Sequence, residues 1–138
     1  MNGYLDNIEK LTIQNTFFRK VLFTGQHAQL VLMTLQPNEE IGMEIHEETD
    51  QFFRVESGNG KLIINGEERE VKDGDAFVVP AGSEHNVVNI SSEEFLKLYT
   101  IYSPPHHKNG VIHKTKKRSW RWSWRPFIKL TNFIFKKL

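Results

Sequence analysis

The 138 residues contain no cysteine. That excludes disulfides, thiolate metal sites and a cysteine nucleophile, and it fits a reducing compartment. No run of about 18 apolar residues occurs, so no membrane-spanning helix is expected. The opening MNGYLDNIEKL has no basic stretch ahead of an apolar one. No secretory leader is therefore expected, and the cytoplasm is the expected location. Acidic residues are missing altogether after Glu94. Residues 1–113 hold nine Lys and Arg against all 17 acids, a net of −8, whereas residues 114–138 hold nine Lys and Arg and no acid, a net of +9. The overall charge of +1 thus joins an acidic domain, expected over 1–113, to a basic aromatic extension over 114–138.

What is present reads as short strands. NTFFRKVLFTG is a strand ending at Gly25, and AQLVLMTLQP is apolar on both alternating faces, as a strand covered on two sides should be. EIGMEIH alternates, with Ile41, Met43 and Ile45 on one face and Gly42, Glu44 and His46 on the other. KLIING and EEREVKDGD form an expected hairpin about Asn65-Gly66, the strongest short hairpin signal. AFVVPAGSEHNVVNIS holds two strands broken at Pro80-Ala81-Gly82, and EFLKLYTIYSPP is a last long strand closed by two prolines. NIEKL predicts a short helical turn at the front. Close turn spacing with no strand–helix alternation predicts an all-β antiparallel barrel or sandwich.

Two segments carry the chemistry. GDAFVVPAGSEHNVVN reads Gly74, five residues, Pro80, one, Gly82, two, His85, three, Asn89. Pro80 ends one strand, Gly82 permits a turn with positive φ, and His85 opens the next strand on a defined face. The other segment reads Asn38, five, Glu44, one, His46, four, Gln51, six, Gly58. Asn38 tolerates the left-handed conformation nearly as glycine does. Glu44 and His46, two apart on a strand, share a face.

The first pattern resembles the second cupin motif, G-x5-P-x-G-x2-H-x3-N, at every fixed position. The second keeps the spacing of the first cupin motif, G-x5-H-x-H-x(3,4)-E-x6-G, with Asn38, Glu44 and Gln51 in place of Gly, His and Glu. The resemblance runs over roughly residues 10–105, and DQFFRVESG and LKLYTIYSPP look like small bacterial cupins labelled mannose-6-phosphate isomerase-like. It implies a small antiparallel barrel, or jelly roll, with a metal site inside at Glu44, His46, Gln51 and His85. It also implies a homodimer in which an N-terminal strand covers a sheet edge.

Two neutral imidazoles and a carboxylate suit one divalent ion, Fe(II), Mn, Ni or Zn. Gln51 offers only a neutral amide oxygen and is the weakest of the four. The competing reading makes these groups ordinary hydrogen-bonding partners in a barrel interior. Period 2 from Gln51 sends Phe53 and Val55 to the same side, as pocket wall, with Phe52, Arg54 and Glu56 opposite. Asn89 shares the face of His85, and Tyr102 is placed near the pocket mouth. His106, His107 and His113 read as solvated loop, and the inward positions carry almost no Lys or Arg.

Three functions are compatible with such a site: metal-dependent isomerisation of a sugar or sugar phosphate, Fe(II)-dependent dioxygenation, and binding of a small polar, sugar-like molecule without catalysis. In the extension, Trp120, Trp122 and Trp124 alternate with Arg121 and Ser123 ahead of Pro126. Contact with a membrane surface or nucleic acid through 116–138, docking onto the −8 domain, and an end with no role are the alternatives for it. All motif residues end by Asn89 and the last expected strand by Ser103, so the barrel is expected to fold without residues 116–138.

Overall fold

A computed structural model describes residues 1–117 of the chain. The alternating tryptophans and the segment after Pro126 lie outside the described residues. The elements in order are α1 (Ile8–Gln14), β1 (Arg19–Thr24), β2 (Gln29–Leu35), β3 (Glu44–Ile45), β4 (Asp50–Ser57), β5 (Asn59–Ile64), β6 (Glu67–Lys72), β7 (Ala76–Val79), β8 (Glu84–Asn89), β9 (Leu96–Ser103) and β10 (Ile112–His113). They form a six-stranded sheet, β10-β1-β2-β9-β4-β7, and a four-stranded sheet, β3-β8-β5-β6. Every pairing is antiparallel. The inner faces share one core, with Val31, Met33, Phe53 and Leu98 from the larger sheet against Leu62, Val71 and Val87 from the smaller. The all-β jelly roll expected from the sequence is the fold.

Local chemistry explains the elements. Asn65 and Gly66 both have positive φ, 48° and 85°. They join β5 to β6 in a two-residue turn with Ile64 opposite Glu67, the turn whose twist matches the strands. β2 is buried along nearly its whole length, as its two apolar faces require. The expected front turn is a helix of two turns. Asn7 caps it, its side chain accepting from the Lys10 N–H at 3.0 Å. The helix lies on the outer face of the six-stranded sheet against β2, β9 and β4, where Lys97 Nζ donates to the Ile13 carbonyl at 2.6 Å.

The structure corrects two readings of the chain. The alternating stretch EIGMEIH is not one strand, because Gly42 takes φ 109° and splits its pairing with β8 into a bridge of Glu40 with Val88 and the short strand Glu44–Ile45. Ile41 packs against the core, but beyond Gly42 the apolar residues face outward: Met43 is 51% and Ile45 49% exposed, while His46 is 8% exposed. A strand that points its polar residues in and its apolar ones out has been arranged for something other than burial of hydrocarbon. The chain also does not stop pairing at Ser103. β10 adds a further strand against β1, with His113 opposite Arg19, and Phe18 N–H donates to the Lys114 carbonyl at 3.2 Å.

One buried charge on the helix side has a testable consequence. Glu56 follows the bulge where the β4–β9 register slips between Val55 and Ser57. Its side chain is 5% exposed, with Arg54 Nη2 3.9 Å away. Burial pushes the carboxyl above its ordinary range; Arg54 offsets part of this, and Glu9 and Asp73 add to the rise. A carboxyl raised on folding contributes stability that is fully present below its unfolded value, about 4.3. That contribution is lost as pH rises through the folded value. Glu56→Gln is therefore expected to melt above the wild type at pH 7, with the gap closing at pH 4. Thermal unfolding at the two pH values checks this; a Gln variant that melts no higher at pH 7 contradicts it.

Candidate metal centre

Glu44 and His85 are directly opposite in the β3–β8 pairing, and His46 follows Glu44 on the same face. One ligand atom from each of Glu44, His46 and His85 lies within 4.8 Å of the others. Glu44 Oε1 is 3.4 Å from His46 Nε2, and the two imidazole rings are 5.2 Å apart. The turn between β7 and β8 ties the two halves together, since Gly82 N–H donates to the His46 carbonyl at 2.8 Å.

The second nitrogen of His85 is engaged. Its Nδ1 lies 3.0 Å from the Ser83 carbonyl oxygen. A carbonyl only accepts, so Nδ1 carries the proton and Nε2 presents its lone pair. His85 Nε2 and His46 Nε2 are both buried and have no hydrogen-bond partner. The same is true of Gln51 Oε1, whose amide is oriented by donation from Nε2 to Thr100 Oγ1 at 2.9 Å. Burying an acceptor without a partner costs about 1–3 kcal/mol, so three together ask for a ligand. For Glu44, burial pushes the carboxyl up. Its contact with His46 at 3.4 Å and the charge of Arg19 outweigh that and hold it below the usual range.

The remaining expected site residues divide. Phe53 is wholly buried, with its ring 6.5 Å from His85 and stacked on Phe77 at 4.7 Å. Tyr102 is 1% exposed, its ring edge-on to His46 at 5.8 Å. Burial pushes its hydroxyl up to about 12, so it stays protonated and can donate. Val55 belongs to the apolar core. Asn89 serves the scaffold and not the pocket wall: its Nδ2 donates to the carbonyls of Leu35, Gln36 and Glu94, and its Oδ1 accepts from Ser91 N–H.

Four residues read from sequence as surface, or passed over, stand at or near this site. His106, exposed at the mouth, brings its ring to 4.3 Å from His46 and stacks on Tyr102 at 5.5 Å. His107 lies edge-on to Tyr102 at 5.1 Å, its Nε2 3.3 Å from the hydroxyl. Burial, then the charge of Arg19, depresses His107 to about 2, so it is neutral at any physiological pH. His113 is 7% exposed, and Arg19 Nη1 donates to its Nδ1 at 3.2 Å. Arg19 is itself 4% exposed and acts by charge on Glu44, Tyr102, His106 and His107. The inward surface therefore does carry a cation. The available signal was the pair His106-His107 only four residues beyond Tyr102, together with the inward register of Arg19.

A family model described as the cupin domain matches residues 31–102, which span β2 to β9. The chain belongs to the cupin family. Protein YrkC of Bacillus subtilis is 45% identical over 119 residues, covering 82% of this chain and 63% of that protein. Protein L612 of Acanthamoeba polyphaga mimivirus is 40% identical over 120 residues, covering 84% of this chain and 74% of that one. The crystal structure of BH2720 from Bacillus halodurans superposes with a TM-score of 0.83 at 44% identity, covering 86% of this chain and 93% of that one. This cupin thus spans less than two thirds of the length of YrkC. Among its described residues no helix is long and apolar enough to cross a membrane.

The donor set of this cupin fits a divalent ion. Two imidazoles and one carboxylate are a recognised combination for such ions, the lone pairs that would bind are the ones left without partners, and His85 has the carbonyl support that ligating histidines usually have.

Proposed function

We propose that this protein is a divalent-metal cupin that holds Fe, Mn, Ni or Zn at Glu44, His46 and His85 and uses the ion to bind a small, oxygen-rich polar ligand. The observation that supports it most is the pair of buried, unpartnered Nε2 atoms beside a carboxylate. His85 is pre-oriented by Ser83, and Glu44 is kept ionised by its neighbours. Gln51 adds a neutral oxygen from the opposite sheet. An ion there would supply Lewis acidity toward the ligand's oxygens. Tyr102 donates a hydrogen bond from a hydroxyl that does not ionise, and Phe53 keeps water from the inner side.

The resemblance to mannose-6-phosphate isomerase-like cupins is the reason to rank sugar isomerisation first among the reactions. Such a reaction needs a base next to the substrate, and His107, depressed to about 2, is too weakly basic to serve. The two-histidine, one-carboxylate set favours Fe(II) oxygenation as the second reading. Both depend on the same ion. Metal analysis of the purified full chain, followed by titration of the metal-free protein with each of the four ions, tests the shared step. One ion per chain is expected. A protein that retains and takes up none of them contradicts the reading.

A further inference from the structure

We infer that the loop 104–110 is the second wall of the binding site, locked in place by Gln29, and that His106 and His107 there, with Arg19 on β1, select a small ligand bearing a carboxylate. The inference rests on the divalent-metal reading above and specifies the ligand class for that site, an acidic molecule in place of the neutral sugar that the resemblance ranks first.

Gln29 is wholly buried and spends its entire amide on positioning. Its Oε1 accepts from the backbone N–H groups of His106 at 3.1 Å and His107 at 2.9 Å. Its Nε2 donates to the His107 carbonyl at 2.7 Å and to Thr24 Oγ1 at 2.9 Å. An amide offers two acceptor lone pairs and two donors, so all four are used and three of them grip one dipeptide. A loop that merely covered the barrel would not need its two imidazoles fixed so closely. Here the grip sets the His106 ring against the ligand imidazole of His46 and sets His107 against the Tyr102 hydroxyl. His106 remains solvent-exposed while touching a buried ligand residue. It therefore stands between solvent and the Glu44, His46 and His85 cluster, where an incoming molecule would meet it.

The charge of the site points to the ligand class. A divalent ion beside the single carboxylate of Glu44 leaves an excess positive charge. Arg19, 4% exposed on β1 with its Nη1 3.2 Å from His113 Nδ1, acts on the same space from the β1 wall. Tyr102 and the imidazoles contribute hydrogen-bond donors. A carboxylate brings one negative charge and two acceptor oxygens, enough for the ion and for a donor across from it. A neutral sugar brings hydroxyls but leaves the excess charge in a low-dielectric interior, where it is costly.

The test uses the full chain loaded with cobalt(II), whose visible absorption reports changes in its ligands. Glycolate, inorganic phosphate and D-mannose are added in turn. Glycolate is expected to shift the spectrum and saturate at concentrations where mannose does nothing. His106→Ala, at an exposed position, is expected to weaken glycolate about tenfold while leaving cobalt affinity unchanged. Gln29→Ala should weaken glycolate at least as much with the same unchanged cobalt affinity, a split that general loss of structure would not produce. Phosphate binding more tightly than glycolate, mannose binding as tightly as glycolate, or variants that bind glycolate normally would overturn the inference and leave the metal reading standing. Loss of cobalt itself in His106→Ala would make His106 a ligand and overturn its role as a wall. Failure of the wild type to bind cobalt would overturn both.

Discussion

Removing either buried imidazole is expected to cost the protein its ion. His46→Ala and His85→Ala should each lower divalent-metal affinity by roughly a hundredfold or more, since metal sites worth about 10 kcal/mol or more divide that among three or four ligands. Gln51→Ala removes only a neutral oxygen and should cost about tenfold. Gln51→Glu places a second carboxylate beside the ion and should tighten binding instead. Because a ligating imidazole must be neutral, affinity should also fall on acidification. Calorimetric titration of the metal-free variants gives the ranking. Equal losses at Gln51 and His85, or none at His85, would show that the ion is held elsewhere.

The residues that were legible in the sequence are those whose geometry is set locally. Asn65-Gly66 dictates its hairpin from two φ values, and Pro80 to His85 defines a turn and a face within six residues. Glu44 and His46 are brought together by strand periodicity alone, and the resemblance implied that His85 joins them, while the β3–β8 pairing that sets it opposite Glu44 came only with the structure. What stayed hidden depends on contacts distant in sequence. Nothing local to SPPHH shows that a glutamine 77 residues earlier grips its backbone. The same holds for Arg19, whose inward register matters only because β10 returns His113 beside it and β9 places Tyr102 within reach. Periodicity also names a face and says nothing of depth. Asn89 shares the face of His85, but four residues of strand put it on the order of 13 Å further along, out of the site and under the β2 terminus.

That displacement yields the largest expected effect on folding. Asn89 is 1% exposed, and its amide closes a junction between the end of β2 and the 91–94 turn through two N–H groups shared among three carbonyls and one accepted bond. Asn89→Ala leaves the carbonyls of Leu35, Gln36 and Glu94 and the N–H of Ser91 short of their side-chain partner. The expected loss is about 2–4 kcal/mol of stability, on the order of 10 °C in melting midpoint for a chain of this size. Asn89→Asp should be worse at neutral pH. A carboxylate can still accept from Ser91, but it cannot donate, and it would face carbonyl oxygens across a dry junction. Acidification should narrow the gap between the two variants, because protonating the introduced carboxylate restores one donor and removes the charge. In the fraction that remains folded, metal affinity should match the wild type, since no atom of Asn89 takes part in the Glu44, His46 and His85 cluster. Melting curves and metal titrations on the same samples separate the roles: a variant that melts normally but fails to bind ligand would return Asn89 to the pocket.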